Sequence, residues 1–406
     1  LARGGVVTGV VVDGTGERAS NVVVRAEAPA PGGQAFSVVA SALTDDRGEF
    51  RVSGLRGGRV VVSVQLIGAG RALYFPGVET ASEAELIDVK AGDETSRINL
   101  ALPAGSEAVM ASIGVVVMSP QPLRRPGPGE TAAVVRGRVV SAPGSVIPAA
   151  KVTLTQQARR EGGSTISDRD GRFAFTDIVP GPFLIAASKI GFTSEGLPLG
   201  RLITVTATGA EVELTLMPLG SVSGRVADES GDPVQGAAVQ LLTVRFQGGR
   251  RRLVLTGFTR TTDDRGMFRV FGVPPGQYIL SASAGDVSTT ELPGYARTFY
   301  PGVTEAASSP VLALGAGQSH SNADITLVRQ RTARLSGVVR DPQGRPRLVG
   351  SLTLIPSQSS SSLVTTAGAR VFDGGVFEFP NVPPGRYVIQ TYRGARNRST
   401  EGEFGA

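Results

Sequence analysis

The sequence contains no cysteine and no tryptophan, and its only histidine is His320. Without cysteine, a disulfide framework, a cysteine-based metal site and a cysteine nucleophile are excluded. A zinc peptidase site needs at least two histidines with a glutamate, and a Ser-His-Asp triad needs Ser and Asp side chains that converge on the histidine. The neighbours of His320 are polar and are typical of a loop. We therefore expect no catalytic residue, no metal site and no cofactor.

Long apolar runs are also missing. The longest candidate, residues 108–118, is too short to cross a membrane as a helix. The chain begins with Leu1 rather than Met, which indicates a processed or partial product from which any signal peptide has been removed. The sequence predicts no transmembrane segment.

The net positive charge is small for a chain of this length. The formal net charge is +6, and lysine occurs only at Lys90, Lys151 and Lys189. The densest basic cluster, three arginines at 250–252, follows two glycines and is typical of a hairpin tip rather than a recognition helix. Proteins that bind single-stranded nucleic acid also use aromatic side chains interleaved with the basic ones, which are scarce here. We expect no nucleic-acid partner, whereas an acidic polysaccharide or a lipid surface stays open for such a tip.

What the sequence does contain is one turn-and-strand signature in four copies with fixed spacing. It reads glycine, any residue, phenylalanine, seven residues, glycine, any residue, and then an aromatic residue in three of the four copies. Fixed spacing of this kind is typical of a repeated domain. The copies are Gly48-Phe50-Gly58-Val60, Gly171-Phe173-Gly181-Phe183, Gly266-Phe268-Gly276-Tyr278 and Gly375-Phe377-Gly385-Tyr387.

The residues around each signature predict β-structure throughout. Each copy opens with a glycine inside a Val-rich alternating strand, and Asp and Gly before the phenylalanine predict a tight turn whose glycine has positive φ. The alternation predicts that the four phenylalanines point into a β-sandwich, and helical periodicity is absent. We predict four sandwich domains at 1–103, 132–218, 219–330 and 331–406, with a linker at 104–131.

The fourth repeat differs from the others at its end. The first three repeats close with one more alternating strand, at 98–102, 212–216 and 325–328, and the fourth has no such strand. The linker contains a spare apolar segment, 111–118, with Ile113, Val115 and Val117 on one face of a strand. We hypothesise that an open sheet edge in the fourth repeat accepts a strand from another subunit, either residues 1–7 or this spare segment. The alternative is that the chain is truncated within the fourth repeat.

The residue pattern of the repeats resembles the carboxypeptidase regulatory-like domain, and it is also similar to Cna-B-like sandwiches. The third repeat carries the resemblance through Gly224, Asp228, Gly231, Pro233, Gly236, Ala237, Val239, Thr262, Asp263, Gly266, Phe268, Pro274, Pro275, Gly276 and Tyr278. The resemblance implies transthyretin-like, seven-stranded β-sandwiches in tandem, the last of them incomplete. Such domains accompany secreted peptidases, outer-membrane receptors and bacterial surface proteins, so the resemblance implies a fold and not one activity.

Two groups of residues suggest ligands. Asp168 and Asp170 alternate as in calcium loops, but calcium usually takes six or more oxygen ligands with a later glutamate, so we interpret them as turn residues. Five aromatic residues in the first and third repeats suggest a sugar-stacking face, although the Pro-Gly that follows them favours a loop packed on its own sandwich. They are Tyr74, Phe75, Tyr295, Phe299 and Tyr300.

These observations predict a non-enzymatic structural or adhesive protein, extracellular or on a bacterial cell surface. Its expected partners are other copies of itself or other surface proteins, with filament assembly by strand exchange as the specific hypothesis. A carbohydrate-binding modular protein of the cell surface is the alternative.

Overall fold

The computed structural model describes residues 4–14, 16–30, 35–66, 71–103, 121–142, 144–156, 161–194, 200–247, 250–284, 295–329, 333–347, 350–356, 367–382, 384 and 386–392. In this part of the chain the structure is all-β, with two short 3-10 turns, Ala306–Ser308 and Asp373–Gly375. No helix among these residues is long and apolar enough to cross a membrane. The predicted fold class, all-β with tandem sandwiches, is confirmed.

Sandwich 1 is built from the first nine strands. Where the chain is described, they form a 4-stranded sheet, β4-β1-β8 with β9 on β1, and a 5-stranded sheet, β3-β2-β5-β6 with β7 on β5. Valines dominate the core between the sheets because alternate positions of each strand face inward. The strands are β1 Gly5–Val12, β2 Val23–Pro29, β3 Phe36–Leu43, β4 Glu49–Leu55, β5 Gly58–Gln65, β6 Ala72–Tyr74, β7 Ile87–Val89, β8 Glu94–Thr95 and β9 Leu100–Ala101.

Sandwich 2 repeats this plan with a more regular second sheet. Its described strands form a 5-stranded sheet, β10-β13-β12-β15-β17, and a 4-stranded sheet, β14-β11-β18-β16. Phe173 and Phe175 meet edge to face in its core with ring centroids 6.3 Å apart. The strands are β10 Gln121–Pro122, β11 Ala133–Ser141, β12 Lys151–Gln156, β13 Glu161–Ile166, β14 Arg172–Ile178, β15 Gly181–Ser188, β16 Phe192–Ser194, β17 Arg201–Val205 and β18 Ala210–Pro218.

Sandwich 3 follows the same order as sandwich 1. Its described sheets are 4-stranded, β22-β19-β26 with β27 on β19, and 5-stranded, β21-β20-β23-β24 with β25 on β23. The strands are β19 Gly220–Ala227, β20 Ala238–Gln247, β21 Arg250–Thr261, β22 Met267–Val273, β23 Gly276–Ser283, β24 Thr298–Phe299, β25 Leu312–Leu314, β26 Ser319–His320 and β27 Ile325–Thr326.

Sandwich 4 has fewer described strands than the other three. They form a 2-stranded sheet, β28-β31, and a 3-stranded sheet, β30-β29-β32, around a core that includes Phe377 and Phe379. The strands are β28 Ala333–Val338, β29 Ser351–Pro356, β30 Ala367–Arg370, β31 Val376–Val382 and β32 Tyr387–Tyr392.

The chain divides into two compact units. The first comprises Leu1–Ser221, Phe271–Pro275 and Leu314–Ser319, and therefore contains sandwiches 1 and 2, the start of β19 and two further segments of sandwich 3. The second comprises Val222–Val270, Gly276–Ala313 and His320–Ala406, which is the remainder of sandwich 3 together with sandwich 4.

Candidate functional site: the ladder between first and last strands

In sandwich 2 the first strand, β11, pairs in parallel with the last strand, β18. The register runs without a break from Val135 opposite Ala210 to Ser141 opposite Leu216. On its other edge β11 pairs antiparallel with β14. We call the parallel pairing of first and last strands the terminal ladder; sandwich 1 forms it between β1 and β8–β9, and sandwich 3 between β19 and β27.

A glycine at the middle of the first strand makes room for this ladder. Gly137 lies opposite Phe173 of β14 on one side and Val212 of β18 on the other. A Cβ atom on Gly137 would overlap both the Val212 carbonyl oxygen and the Phe173 ring. A Cβ atom on Gly9 would likewise overlap the Ile98 carbonyl oxygen, and one on Gly224 would overlap the Ala323 carbonyl oxygen. In these three sandwiches the first-strand glycine is therefore required by the close passage of the last strand.

Sandwiches 1 and 3 interrupt the terminal ladder at one equivalent position. Arg97 and Asn322, each just before the last strand, have φ of 69° and 62°, in the left-handed region that disrupts strand pairing. Two residues further on, a side-chain oxygen takes the place of a backbone carbonyl. Asn99 Oδ1 accepts the Val10 N–H at 3.0 Å, and Asp324 Oδ1 accepts the Arg225 N–H at 2.8 Å.

An ion pair strengthens the ladder of sandwich 1. Arg51 of β4 contacts Glu94 of β8 at 2.6 Å, and the Thr8 hydroxyl of β1 donates to the same carboxylate at 3.1 Å. Three adjacent strands are thereby tied together across the sheet. The Glu94 side chain is 46% exposed, so this cluster contributes about 1 kcal/mol or less.

A buried hydroxyl fastens the turn after the first strand in three sandwiches. Ser167 Oγ donates to the Ile147 carbonyl at 2.8 Å and accepts the Ala150 N–H at 2.8 Å. Thr44 and Thr262 make the equivalent pairs of bonds in sandwiches 1 and 3. All three side chains are buried, so each bond satisfies a backbone group that water does not reach. This role was not predicted, although a Ser or Thr stands directly before the turn Asp in all three repeats.

In the first three repeats, the aspartate three residues before the signature glycine caps the turn. Asp168 Oδ1 accepts the N–H groups of Asp170 and Arg172 at 2.9 and 2.7 Å, and Asp45 and Asp263 do the same in their own turns. Asp170 itself has a side chain that is 69% exposed. Across the described ranges no group of three or more His, Cys, Asp or Glu residues is placed to hold a metal ion.

The signature glycines and aromatics lie at equivalent places. Gly48, Gly171, Gly266 and Gly375 have φ between 69° and 76°, as predicted, and in each a Cβ atom would press on a first-strand carbonyl. The four signature phenylalanines are buried, with 4 to 9% of their surface exposed. Gly58 and Gly181 begin strands that carry the buried Val60 and Phe183, and Gly276 begins the strand of Tyr278, whose pKa is raised by burial. Burial also raises the pKa of Tyr387, whereas Gly385 lies outside the described residues.

Sandwich 4 differs at two of these positions, those of the buried hydroxyl and of the turn Asp. Val371 stands where the other repeats have the buried hydroxyl, and Phe372, 63% exposed, stands where they have the turn Asp. The backbone of the turn is kept, since the Phe372 N–H donates to the Val376 carbonyl and the Gly375 N–H donates to the Phe372 carbonyl. The turn therefore forms without side-chain caps.

The remaining candidates for chemistry are His320 and the arginines at 250–252, and where the chain is described they lie on strands. His320 was predicted in a loop, and this was wrong: it belongs to β26, which pairs with β19 because the chain there runs alongside the first strand. The arginines at 250–252 begin β21 beside the end of β20, so the hairpin prediction is confirmed; the two glycines between the strands lie outside the described residues.

Three of the five aromatic candidates for sugar stacking are engaged within their own sandwiches. Phe299 is buried at 8% exposure in a local cluster, and Phe75 packs against the core of sandwich 1. The Tyr295 hydroxyl donates to Glu229 at 3.2 Å, and burial is the main cause that raises the pKa of Tyr295. Burial likewise raises the pKa of Tyr74. These side chains serve their own sandwiches.

A partly buried arginine of sandwich 3 lies outside the ladder. Arg297 of sandwich 3 donates to Gln240 Oε1 at 3.1 Å, and burial lowers the pKa of its guanidinium. Gln240 lies on β20, so this bond ties the segment before β24 to the sheet.

Comparison with known proteins gives one family and several distant structures. No curated protein sequence is similar enough to this chain to count as a relative. Among solved structures, the chain is similar to a streptococcal ancillary pilin (12% identity, 79% of this chain and 98% of that one, TM-score 0.28). It is also similar to the shaft pilin SpaA of Lactobacillus rhamnosus GG (12%, 50% and 100%, TM-score 0.24) and to the Bacillus anthracis TIE protein (11%, 80% and 51%, TM-score 0.21). The chain spans about half the length of the TIE protein.

The family comparison falls on the two middle sandwiches. The model of the carboxypeptidase regulatory-like domain matches residues 134–216 and residues 221–328. These ranges begin within the first strand and end at the last strand of sandwiches 2 and 3, so each match includes a whole terminal ladder. Two successive regions of the chain, the two middle sandwiches, are therefore similar to the carboxypeptidase regulatory-like domain.

Proposed function

We propose that this chain is a non-enzymatic structural protein, extracellular or on a bacterial cell surface, that carries tension along a series of β-sandwiches. The observation that carries the proposal is the parallel terminal ladder. The resemblance of the repeats to domains of surface and secreted proteins supports the location. Phe299 is buried and Phe75 is partly buried against the core of its own sandwich, which makes both poor stacking surfaces for a sugar and counts against the carbohydrate-binding alternative.

The relative direction of the first and last strands determines how a pulling force acts on the hydrogen bonds between them. Because β11 and β18 are parallel, the chain enters β11 at one end of the ladder and leaves β18 at the opposite end. Tension on the chain therefore acts along the strands and across the hydrogen bonds between them. The bonds are loaded in shear and resist together, whereas in an antiparallel pair of terminal strands they would open one after another. Resistance to forced unfolding depends on the unfolding rate, and loading the ladder in shear lowers that rate.

The mechanical proposal is tested by pulling sandwich 2 in two directions. Because the chain has no cysteine, pairs of handles are introduced without interference. The variant Ala132→Cys/Met217→Cys applies shear to the ladder, and Ala142→Cys/Met217→Cys pulls both strands from the same end. We expect a several-fold higher unfolding force in shear, measured with optical tweezers. Equal forces in the two directions would remove the mechanical argument.

The proposed location has its own test. An impermeant biotin reagent on intact producing cells should label Lys90, Lys151 or Lys189, read by mass spectrometry, with a cytoplasmic protein as the negative control. Labelling only after lysis would contradict the surface assignment.

The finer proposal is that copies assemble into filaments by strand exchange. One hypothesised donor is withdrawn: Val6 and Val7 of the 1–7 segment are 5 and 0% exposed within β1, so they already complete sandwich 1. The other donor, with Ile113, Val115 and Val117, lies outside the described residues. It stays a hypothesis that rests on its alternating apolar pattern.

Strand exchange is tested by electron microscopy and light scattering of the full chain. Serine at Ile113, Val115 and Val117 should convert filaments to monomers if this face is the donor. The matched control places serine at Gly114 and Val116 on the other face of the same segment. Filaments that survive the first variant would rule out this donor, and monomers in the unsubstituted protein would rule out assembly.

A further inference from the structure

The hairpin of β20 and β21 extends beyond the rest of its sheet in sandwich 3. β20 pairs with β23 only as far as Leu242, whereas its pairing with β21 continues to Gln247. Past Leu242 the two strands pair only with each other among the described strands. A strand that continues for five residues spans about 16 Å. We call this part of the hairpin the protruding ribbon; it comprises residues 243–247 and 250–254.

The protruding ribbon carries positive charge and no negative charge. No Asp or Glu occurs anywhere between Asp232 and Asp263. In sandwich 1, which has the same strand order, β2 continues past its last pair with β5 only to Pro29, and residues 26–43 contain no Lys or Arg. The length and charge of the ribbon are therefore not requirements of the shared fold. Its arginines are Arg245, Arg250, Arg251 and Arg252.

The backbone register places like charges opposite each other across the ribbon. Arg245 pairs with Arg252, and like charges at directly opposite positions destabilise a strand pair. An isolated two-stranded ribbon has little stability of its own, so such a repulsion is costly there. A partner that carries anionic groups converts the repulsion into attraction.

One face of the ribbon is apolar and becomes more exposed towards the tip. At the base of this face Leu242 is buried with Phe299, and Val244 packs against them partly buried. Phe246 follows Val244 on the same face, because side chains of a strand alternate. It is 75% exposed, the highest value among the large apolar residues where the chain is described. The tip therefore presents a phenyl ring in a segment rich in arginine.

We infer that the tip of the protruding ribbon binds the surface of a membrane that contains anionic lipids. The planar guanidinium group of arginine matches the oxygens of a phosphate, so the arginines pair with lipid headgroups. The ring of Phe246 enters the boundary between headgroups and acyl chains, where apolar side chains leave water beside basic ones. A ribbon of about 16 Å is long enough to place its tip about 5–10 Å deep in this boundary while the sandwich stays outside.

A membrane fits these features better than an acidic polysaccharide does. Both attract arginine, but a bilayer covers the phenyl ring with hydrocarbon, which removes its apolar surface from water. A sugar site uses uncharged polar side chains to orient its ligand, and Thr243 and Gln247 are the only ones in the ribbon. The inference does not depend on the proposed surface location, which the biotin labelling tests separately.

The absence of tryptophan provides a direct probe of the tip. Phe246→Trp in the full chain introduces one fluorophore there, and Leu202→Trp, at a residue 70% exposed in sandwich 2, is the matched control. Vesicles of phosphatidylcholine mixed with phosphatidylglycerol should shift the emission of the first variant to shorter wavelength, because the indole leaves water. Vesicles of phosphatidylcholine alone should not shift it, and the control should not respond to either.

The arginines are tested by flotation of the full chain with the mixed vesicles. Glutamine at Arg250, Arg251 and Arg252 together should weaken binding by about 100-fold, since each arginine near an anionic surface contributes about fivefold. The matched control removes the same charge from exposed positions of sandwich 2 and should weaken binding less than about threefold. It places glutamine at Arg136, Arg169 and Arg201.

The apolar contact is tested in the same assay. Phe246→Ser should weaken binding by about tenfold or more, because the ring no longer leaves water, and Leu202→Ser should change it less than about twofold. The tryptophan measurement keeps all the arginines, so it stands if a glutamine variant fails to fold.

The outcomes separate a membrane from other anionic partners. An emission shift confined to Phe246→Trp, with binding lost only when the ribbon arginines are replaced, supports the inference. No shift with the mixed vesicles, or equal weakening by the two triple substitutions, would overturn it. Binding to soluble polygalacturonate without binding to vesicles would also overturn it and assign the ribbon to an acidic polysaccharide.

Discussion

The terminal ladders of sandwich 2 and sandwich 1 differ although both sandwiches carry the same signature. In sandwich 2 the ladder is continuous over the paired residues of β11 and β18. In sandwich 1 it is divided into a pairing with β8 and another with β9, separated by the positive φ of Arg97. The difference shows that the signature specifies the turn and the core, whereas one residue before the last strand decides whether the ladder is continuous.

The continuous and the divided ladder differ in how they resist a pulling force. A continuous parallel ladder shares a shearing force among all its bonds, whereas a divided ladder loads two short groups. Sandwich 3 has the same interruption at Asn322, and its β19–β27 pairing is short. We therefore expect sandwich 2 to resist tension most strongly among the sandwiches whose ladders are described.

The largest effect is expected from filling the space at the centre of the continuous ladder. Gly137→Val would place side-chain atoms on the Val212 carbonyl and the Phe173 ring, so either the ladder or the core must open. We expect the opening free energy of β11 and β18 to fall by about 3 kcal/mol or more, measured by native-state hydrogen exchange.

The control for this variant is Gly350→Ala. Gly350 is exposed, and no atom of the described residues lies within 4 Å of its hypothetical Cβ, so its replacement should change stability by less than about 0.5 kcal/mol. An unchanged β11–β18 ladder in Gly137→Val would show that the last strand does not pass this glycine closely.

The second largest effect is expected at Ser167, just before the turn that leads into β14, the strand beside β11. Ser167→Ala leaves the Ala150 N–H and the Ile147 carbonyl without their buried hydroxyl partner. We expect a loss of about 2 kcal/mol in sandwich 2, measured by denaturant unfolding followed with hydrogen exchange. The exposed Ser188→Ala is the matched control, and similar losses in both variants would show that the hydroxyl bonds are not the cause.

A smaller effect is expected where a side chain replaces the backbone in the divided ladder. Asn99→Ala removes the acceptor of the Val10 N–H on a solvent-exposed edge, so the cost should be about 1 kcal/mol. The equivalent change, Asp324→Ala, should act alike in sandwich 3. Local hydrogen exchange at Val10 and Arg225 measures it. Unchanged exchange at both amides would mean that these side chains do not complete the ladder.

The smallest change should have the opposite sign. Arg97 has a left-handed backbone that glycine adopts more easily, so Arg97→Gly should stabilise sandwich 1 by about 0.5 kcal/mol. Arg59→Gly, inside β5 and exposed, should destabilise it by a similar amount because glycine weakens a strand interior. Thermal unfolding of the two variants side by side is sufficient, and the same sign in both would contradict the local account.

Much of the fold was predictable from local chemistry. The Asp and Gly of each turn and the alternation around Phe50, Phe173, Phe268 and Phe377 are short-range signals, and they predicted the turns and an all-β fold. The hydroxyl role of Thr44, Ser167 and Thr262 was missed, but a Ser or Thr at one fixed place in three repeats was a usable signal.

Other features depend on partners distant in sequence. The valine-rich sequence of residues 5–7 predicts a strand but does not say whether the strand pairs within its own sandwich or with another subunit. The left-handed Arg97 has no local signal, since arginine rarely adopts this conformation. The oxygen of Asn99 completes the ladder only because β1 lies beside it, which requires the folded sheet. Such features are set by tertiary packing and not by local propensity.

The most direct test of the account is to stretch the full chain from its termini and record the length released at each unfolding event. Rupture of the sandwich 2 ladder frees the chain between Val135 and Leu216, about 270–300 Å when extended. We expect the rupture of the sandwich 2 ladder to occur at the highest force. An event of this length that occurs before the longer release of sandwich 1, between Val6 and Ala101, would contradict it.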